Sequence, residues 1–296
     1  MTAAVFVIVN PAAGRGESLQ RAAAFRACLA DGEIAGIAYT RERGDEERLA
    51  SLALGDGASV LVAVGGDGTC SGIANAILRS GKKCQLAIVP SGTGNDVAKT
   101  LGVHDQTPQQ IAALVSSGAA SKIDVGLLDG RYFVNSCGFG FDASVLEATR
   151  NVRFLKGDAV YIYSALRQLF TYLGISVSVD DEAGKMLMLT VSNGRYLGGA
   201  FRIAPHASVI DGKLDVGLFG DTGLIGRVRT FAGAFRGTHV GLPSVKTKLA
   251  AEMTLRFSAP PMMEVDGELR QALSSTVKIE CVPRALSVIA APGHPV

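Results

Sequence analysis

The sequence predicts an α/β protein: an N-terminal Rossmann-like domain built on a mostly parallel sheet, followed by an antiparallel, β-sandwich-like domain. Three observations carry that expectation. Over the first third of the chain, short runs that are apolar on both faces alternate with helical patterns, as in a parallel sheet covered on both sides. Two of those runs end directly in glycine-rich turns. After about Lys122 the helical patterns thin out, and short apolar runs separated by turn residues take over, as antiparallel strands do.

The elements read in order as follows. Val5 to Val9 is β-branched and ends at Asn10-Pro11; a helical pattern fills 18–30. A second strand at 34–39 precedes a charged helix at 45–54. The apolar run 59–64 leads into Gly65-Gly66-Asp67-Gly68 and a helix to about Arg79. The run 86–89 repeats that theme before Pro90-Ser91-Gly92-Thr93-Gly94. Thr107-Pro108-Gln109-Gln110 has the signature of an N-cap, a proline at the first helical position and a capping-box glutamine, and its helix closes the unit near Ser117. Runs at 123–128 and 132–137 flank Asp129-Gly130, a strong hairpin signal. A second hairpin is expected from 175–179 and 186–192. Further strands are expected at 214–219, 253–257, 263–265, 277–281 and 286–289, and helices at 158–172 and 222–235. The domains are therefore 1–125 and 126–296, with a return of the last residues to the first domain left open.

Composition narrows the function classes. The chain has 296 residues, 48% hydrophobic and 19% charged, which suits two packed domains rather than a disordered segment. A formal charge of +2 gives no nucleic-acid footprint. The five cysteines form no CxxC pair, which argues against zinc and suits a reducing cytosol. No basic n-region opens the chain, and no run approaches the length of a membrane span. None of His104, His206, His239 and His294 stands at a metal-ligand spacing, so all four read as surface or packing residues.

Two glycine loops carry the chemistry. Gly65, Gly66 and Gly68 leave backbone N–H groups uncovered, so that phosphate oxygens can approach the loop and the helix that follows. Asp67 is an odd choice for an anion site unless Mg²⁺ lies between carboxylate and phosphate. The second loop adds the Thr93 hydroxyl and the Asn95 amide. One such loop alone is as easily an ordinary turn; two in successive β–α units are much less so. No GK[ST] follows either loop, and no convincing G-x-G-x-x-G is present.

With these loops on the page, the chain resembles the diacylglycerol kinase catalytic-domain family, which includes bacterial soluble lipid kinases and sphingosine kinases. The matching pieces are Asn10-Pro11-Ala12-Ala13-Gly14-Arg15-Gly16, Gly65-Gly66-Asp67-Gly68-Thr69, Pro90-Ser91-Gly92-Thr93-Gly94-Asn95-Asp96, Ile123-Asp124-Val125-Gly126, Asp211-Gly212-Lys213-Leu214 and Val265-Asp266-Gly267-Glu268. The resemblance implies an ATP- and Mg²⁺-dependent lipid kinase acting on diacylglycerol or a related lipid alcohol. Its first domain would be nucleotide-binding. Asn10, Thr40, Gly65, Gly66, Asp67, Gly68, Thr69, Cys70, Ser71, Gly92, Thr93 and Asn95 would contact ATP, with Asp67 serving the catalytic Mg²⁺. Asp266 would be the general base, supported by Glu268 and facing the loops across a domain cleft. Asp211 would hold a second, structural Mg²⁺, linked by water towards Asp96 and Asp124. The protein would work in the cytoplasm at the inner face of the membrane, with a homodimer left open.

One departure stands out: the family usually has Asn and Glu where this chain has Ser71 and Gly72, and an aliphatic residue at Cys70. The missing carboxylate motivates a competing reading, a non-catalytic nucleotide- or lipid-binding regulator. A third reading, NAD kinase, rests on the GGDGT loop alone. For membrane approach, the basic, apolar stretch at 150–156 and the helix after it are the candidates. A solvated loop beside a core helix explains them equally well. Phe139 and Phe141 suit a lipid pocket or a core.

Overall fold

The structure, a computed structural model, describes residues 4–29, 33–149, 152, 158–180 and 182–291. The chain divides into two compact units, residues 1–125 with 283–296, and residues 126–282. The expected α/β class with a parallel first sheet and an antiparallel second part is what is found.

In the first unit the strands β1 (Val5–Val9), β2 (Ile34–Tyr39), β3 (Val60–Gly65) and β4 (Gln85–Pro90) run parallel in the order β2-β1-β3-β4. Helices α1 (Glu17–Arg26), α2 (Asp45–Gly55), α3 (Asp67–Ser80), α4 (Asp96–Thr100) and α5 (Pro108–Ser117) accompany them. Val7, Val9, Val62 and Val64 pack with Phe25 of α1 and Ile111 of α5, while α2 and α3 pack on the sheet as well. This two-sided cover explains why β3 is buried along its whole length. The Thr107 capping box is formed: Thr107 Oγ1 accepts the Gln110 N–H at 3.2 Å, and Gln110 Oε1 accepts the Thr107 N–H at 2.8 Å.

The second unit is antiparallel. Strand β5 (Ala120–Leu128) pairs with β6 (Arg131–Phe133) through Asp129 and Gly130, at φ 49° and 73°. That is the expected hairpin with both turn residues left-handed. Next come β7 (Ser136–Gly140), α6 (Phe141–Thr149), α7 (Asp158–Thr171), β8 (Ile175–Val179), β9 (Glu182–Ser192), β10 (Leu214–Gly220) and α8 (Gly223–Ala234). The last strands are β11 (Val245–Ala250), β12 (Glu252–Arg256), β13 (Met262–Val265), β14 (Glu268–Gln271) and β15 (Thr276–Ile289). Phe133, Phe139, Leu189, Leu255 and Val277 form the core of this unit, each fully buried.

The sequence reading did not contain α4, β11 or β14, and it differs in further details. The run 132–137 is broken, because the backbone N–H groups of Val134, Asn135 and Ser136 all turn to the Asp266 carboxylate. The runs 277–281 and 286–289 are one strand, β15, bent at Pro283 and Arg284; Arg284 has φ 50° and gives its N–H to Asp124 Oδ1 at 2.7 Å. Helix α6 went unread, since its nine residues follow a Gly-Phe-Gly run that looks like strand and turn. The basic stretch 150–156 lies outside the described residues, apart from Val152.

Candidate active site

The register of the first sheet builds the phosphate cradle. Gly65 of β3 lies beside Pro90 of β4, so the loops that leave these strands start side by side. Ser91 N–H donates to Gly65 O at 2.8 Å, and the two loops then close to backbone contact. A Cβ on Gly92 would fall 2.4 Å from Gly66 Cα, and one on Gly66 would fall 3.1 Å from Gly92 Cα. Gly14, at φ 58°, comes in from a third loop, where a Cβ would meet Ser91 O at 2.4 Å. Glycine is required here for close approach, and at Gly14 for handedness as well.

Side chains brace the cradle. Asn10 Nδ2 donates to Thr69 Oγ1 at 3.3 Å, tying the end of β1 to the first turn of α3. Asn95, left-handed at φ 52°, closes the second loop on itself: its Oδ1 accepts the Gly92 N–H at 2.9 Å and its Nδ2 donates to Gly92 O at 2.7 Å. Thr93 stands exposed at the tip. Cys70 and Ser71 are buried, and the Cys70 N–H is spent on Gly66 O at 3.1 Å. Of the twelve expected nucleotide residues, Gly65 to Thr69 and Gly92 to Asn95 are thus gathered with Asn10. Thr40 follows β2, its N–H on Val9 O at 2.9 Å.

Asp67 opens α3 and its Oδ1 accepts the Val97 N–H at 3.2 Å. Burial pushes its carboxyl above the usual range, against the pull of neighbouring N–H groups and Lys99. A carboxylate that is costly to ionise, beside uncovered N–H groups, fits a cation shared with phosphate oxygens. Among the described residues, no three Asp, Glu, His or Cys side chains converge into a complete metal cage, and Mg²⁺ in phosphoryl-transfer sites needs only one or two carboxylates with phosphate and water. Asp96 is buried at the start of α4, 3.8 Å from Lys99 Nζ. Asp124 is fully buried and holds Arg284 N–H.

Gly72 has a structural counterpart in α2. A Cβ at this position would fall 2.3 Å from Glu46 Cγ and 3.4 Å from Glu46 Cδ. A side chain at 72 is therefore excluded, and a carboxyl group stands against that position all the same, delivered from α2. Asp45 beside it accepts Arg41 N–H at 2.8 Å and pairs with Arg48 at 2.6 Å, which holds its pKa down at about 2.

In the second unit, Asp266 and Gly267 form a two-residue turn at φ 48° and 81° between β13 and β14. Asp266 is only 3% exposed. Its Oδ1 accepts Asn135 N–H at 2.9 Å and Ser136 N–H at 3.1 Å, and its Oδ2 accepts Val134 N–H at 2.9 Å. Three backbone donors fix the carboxylate in position. Glu268 pairs with Arg270 at 2.5 Å and lies 3.9 Å from Arg131. Asp211 is exposed and caps its own turn, accepting Lys213 N–H at 3.0 Å. Asp215 nearby is pushed up to about 6 by burial and by the Asp211 charge.

Of the two phenylalanines that suited a lipid pocket or a core, Phe139 lies in the core and Phe141 lines a cavity in this unit, whose Asp142 the sequence reading did not single out. The cavity is narrow, with a volume of about 50 Å³, and is lined by Phe141, Leu169, Leu187, Phe201, Phe219 and Phe231, with Asp142, Arg227 and Thr230 as its polar groups. Asp142 Oδ1 accepts Ala143 N–H at 2.7 Å, while Oδ2 is buried with no hydrogen-bond partner. Burial pushes this carboxyl up to about 7. Room for it comes from Gly138, where a Cβ would collide with Asp142 Oδ2. A glycine four residues ahead of an aspartate, inside an apolar run, was the available signal.

Glycine loops meeting at the carboxyl ends of parallel strands, with a half-buried aspartate beside them, suit a phosphotransferase of the kinase type. The comparisons with known proteins make that class specific. Residues 4–128 match the diacylglycerol kinase catalytic domain, and residues 135–290 match the YegS C-terminal NAD kinase beta sandwich-like domain. A Pseudomonas putida protein named "Probable lipid kinase YegS-like" is 30% identical over 272 residues, covering 89% of this chain and 88% of that one. The diacylglycerol kinase of Bacillus subtilis is 26% identical over 214 residues, 71% of each chain. A crystal structure of a diacylglycerol kinase from Bacillus anthracis superposes with a TM-score of 0.71 at 23% identity, over 99% of this chain and 98% of that one, which shows the shared fold. The chain belongs to the diacylglycerol kinase catalytic-domain family, and it is a lipid kinase.

Proposed function

We propose that the protein transfers the γ-phosphate of ATP, with Mg²⁺, to the hydroxyl of a membrane lipid, with diacylglycerol the default acceptor. The observation that carries this reading is the Gly66–Gly92 approach, which brings two loops bare of side chains together at the carboxyl ends of parallel strands, where a polyphosphate can lie against backbone. Asn10, Thr69 and Thr93 supply polar side chains to the same nucleotide, and Thr40 flanks it. Asp67 would hold the catalytic Mg²⁺, which would supply charge neutralisation at the phosphates. Asp211 is the candidate for a second, structural ion.

Asp266 takes the proton of the attacking hydroxyl. In a loose phosphoryl-transfer transition state the proton leaves late, so position matters more than basicity. The three N–H donors on Asp266 supply position. Glu268, set against Arg131 and Arg270, holds the end of the same hairpin. The narrow apolar cavity is the candidate to receive part of an acyl chain, and Asp142 and Thr230 are the groups on its wall able to orient a polar head. The Glu46 carboxyl at Gly72 weakens the motive for a non-catalytic regulator. The expected working place is the cytoplasmic face of a membrane; among the described residues no helix is long and apolar enough to cross one.

The test is direct. The purified chain, Mg²⁺ and γ-labelled ATP are incubated with vesicles containing diacylglycerol, sphingosine or monoacylglycerol, and separately with NAD. A labelled phospholipid that disappears with EDTA and in Asp67→Asn is expected. Label in NADP and in no lipid would overturn the acceptor class.

A further inference from the structure

Helix α7 carries apolar side chains on its inner and outer sides, with Arg167, Gln168 and Thr171 as a polar strip between them. Its inner side carries Ala165 and Leu169, 1% and 2% exposed, and Leu169 walls the apolar cavity. Its outer side carries Tyr163, Leu166 and Phe170, and Leu173 extends the stripe just past the helix end. The steps of three, four and three residues place these side chains on one helical face. Phe170 is 68% exposed and Leu173 80%. Helix α8 repeats the arrangement with Leu224, Ile225 and Val228, and Ile225 is 86% exposed. The two helices are tied together: Arg227 of α8 donates to Leu169 O at 2.8 Å and is itself held by Asp221 at 2.6 Å.

A helix at a protein–water boundary keeps polar residues outside, and exposed apolar side chains gathered on neighbouring helices mark a surface that is covered in use. Charge indicates by what. Helices α7 and α8 contain Arg167, Arg227 and Arg229 against a single acidic residue, Asp158 at the start of α7. Arg167 and Arg229 are exposed, as is Arg236 just beyond α8. An isologous contact with a second copy would set these cations against one another. An anionic lipid surface meets both features at once, since apolar side chains enter the acyl boundary while cations meet headgroups. The cavity adds continuity, because Leu169 and Arg227 of the same two helices line it.

We propose that the outer faces of α7 and α8 dock the protein onto an anionic bilayer. Phe170, Leu173 and Ile225 enter the interface, and Arg167 and Arg229 contact the headgroups. This deepens the lipid-kinase reading, on which it rests for its purpose, by naming the surface that meets the acceptor's membrane.

The test is sedimentation of the full chain with vesicles of phosphatidylcholine alone, or of phosphatidylcholine with phosphatidylglycerol. Binding to the anionic vesicles that weakens with salt is expected. Phe170→Ser with Ile225→Ser should lower the bound fraction about tenfold, and Arg167→Ala with Arg229→Ala should remove the preference for phosphatidylglycerol. Both pairs should keep the wild-type melting temperature and phosphorylate a water-soluble short-chain acceptor at the wild-type rate. Wild-type protein left in the supernatant, or serine variants that bind as well as wild type, would overturn the proposal. So would a wild-type dimer that becomes a monomer in the serine variant, since a second copy would then be the cover. Vesicle binding that follows these variants in a protein unable to phosphorylate any lipid would support docking and count against the kinase reading instead.

Discussion

Gly66 and Gly92 touch through their backbones: a Cβ built on Gly92 would lie 2.4 Å from Gly66 Cα. The contact follows from β3 and β4 being parallel neighbours in a register that ends with Gly65 beside Pro90. Loops leaving paired strand ends this closely either exclude side chains or splay apart. Here they exclude them, and the two loops meet backbone to backbone.

The collision is unequal in the two directions, which gives an ordered prediction. Gly92→Ala drives a methyl into backbone at 2.4 Å, whereas Gly66→Ala places one at 3.1 Å, a distance that a shift of a few tenths of an ångström relieves. Overpacking of this kind costs about 1–3 kcal/mol. Calorimetric titration with a non-hydrolysable ATP analogue should show Gly92→Ala binding at least tenfold more weakly than wild type, and Gly66→Ala several-fold more weakly at most. Equal losses would mean that the loops do not meet in solution.

Asp266 is asked both to hold a backbone bend and to accept a proton, and the two roles separate by substitution. Asp266→Asn keeps an acceptor for two of the three N–H groups but turns an amide NH₂ towards the third. Leaving one buried donor unsatisfied costs about 1–3 kcal/mol of stability. Loss of the base should lower kcat about 100-fold or more, with analogue affinity unchanged. A variant destabilised as expected that still turns over at the wild-type rate would assign Asp266 to structure alone.

Much of this was legible in the sequence. Strands apolar on both faces and the glycine loops after them are local signals, and β3 and β4 formed as read, to within a residue. The Asp-Gly hairpin at 129–130 and the Thr107 capping box are equally local. What was illegible is long-range. The break after Phe133 is set by a carboxylate 130 to 132 residues away. The joining of two apolar runs into β15 depends on Asp124 catching Arg284 N–H. The cavity draws its wall from helices and strands spread over 141–234, and no periodicity within one segment announces it. Gly72 looked like a lost carboxylate, because the residue that fills its space lies 26 positions earlier, on another helix.

The buried Asp142 carboxyl gives a pH dependence with a definite sign. Its pKa is about 7 in the folded protein and 3.8 in the unfolded chain. Below about pH 4 both states hold the proton and its contribution is fully present. As pH rises towards 7 the unfolded chain ionises first, so stability falls by about 1.4 kcal/mol per unit. Asp215, raised to about 6, acts in the same direction. Asp142→Asn removes the larger effect: urea unfolding at pH 5 and pH 8 should show the variant gaining roughly 3 kcal/mol on wild type between them. Parallel pH profiles would place the Asp142 carboxyl in water.

The Glu46–Gly72 pair can be tested as an exchange. With Glu46 Cγ 2.3 Å from where a Cβ at 72 would lie, Gly72→Glu alone forces two side chains into one space, and should lower the melting temperature by several degrees, as about 2 kcal/mol does in a domain of this size. Glu46→Ala alone removes the carboxyl but opens room above α3. If a carboxylate beside the nucleotide loop is what matters, that variant loses ATP affinity while keeping its fold, and adding Gly72→Glu to it restores both. The double-mutant cycle should then show a coupling energy of about 1–3 kcal/mol in stability, as expected for side chains that share a cavity. Additive effects would mean that Glu46 leaves this position in solution. Restored stability without restored ATP affinity would mean that the carboxylate is needed for packing and not for the nucleotide.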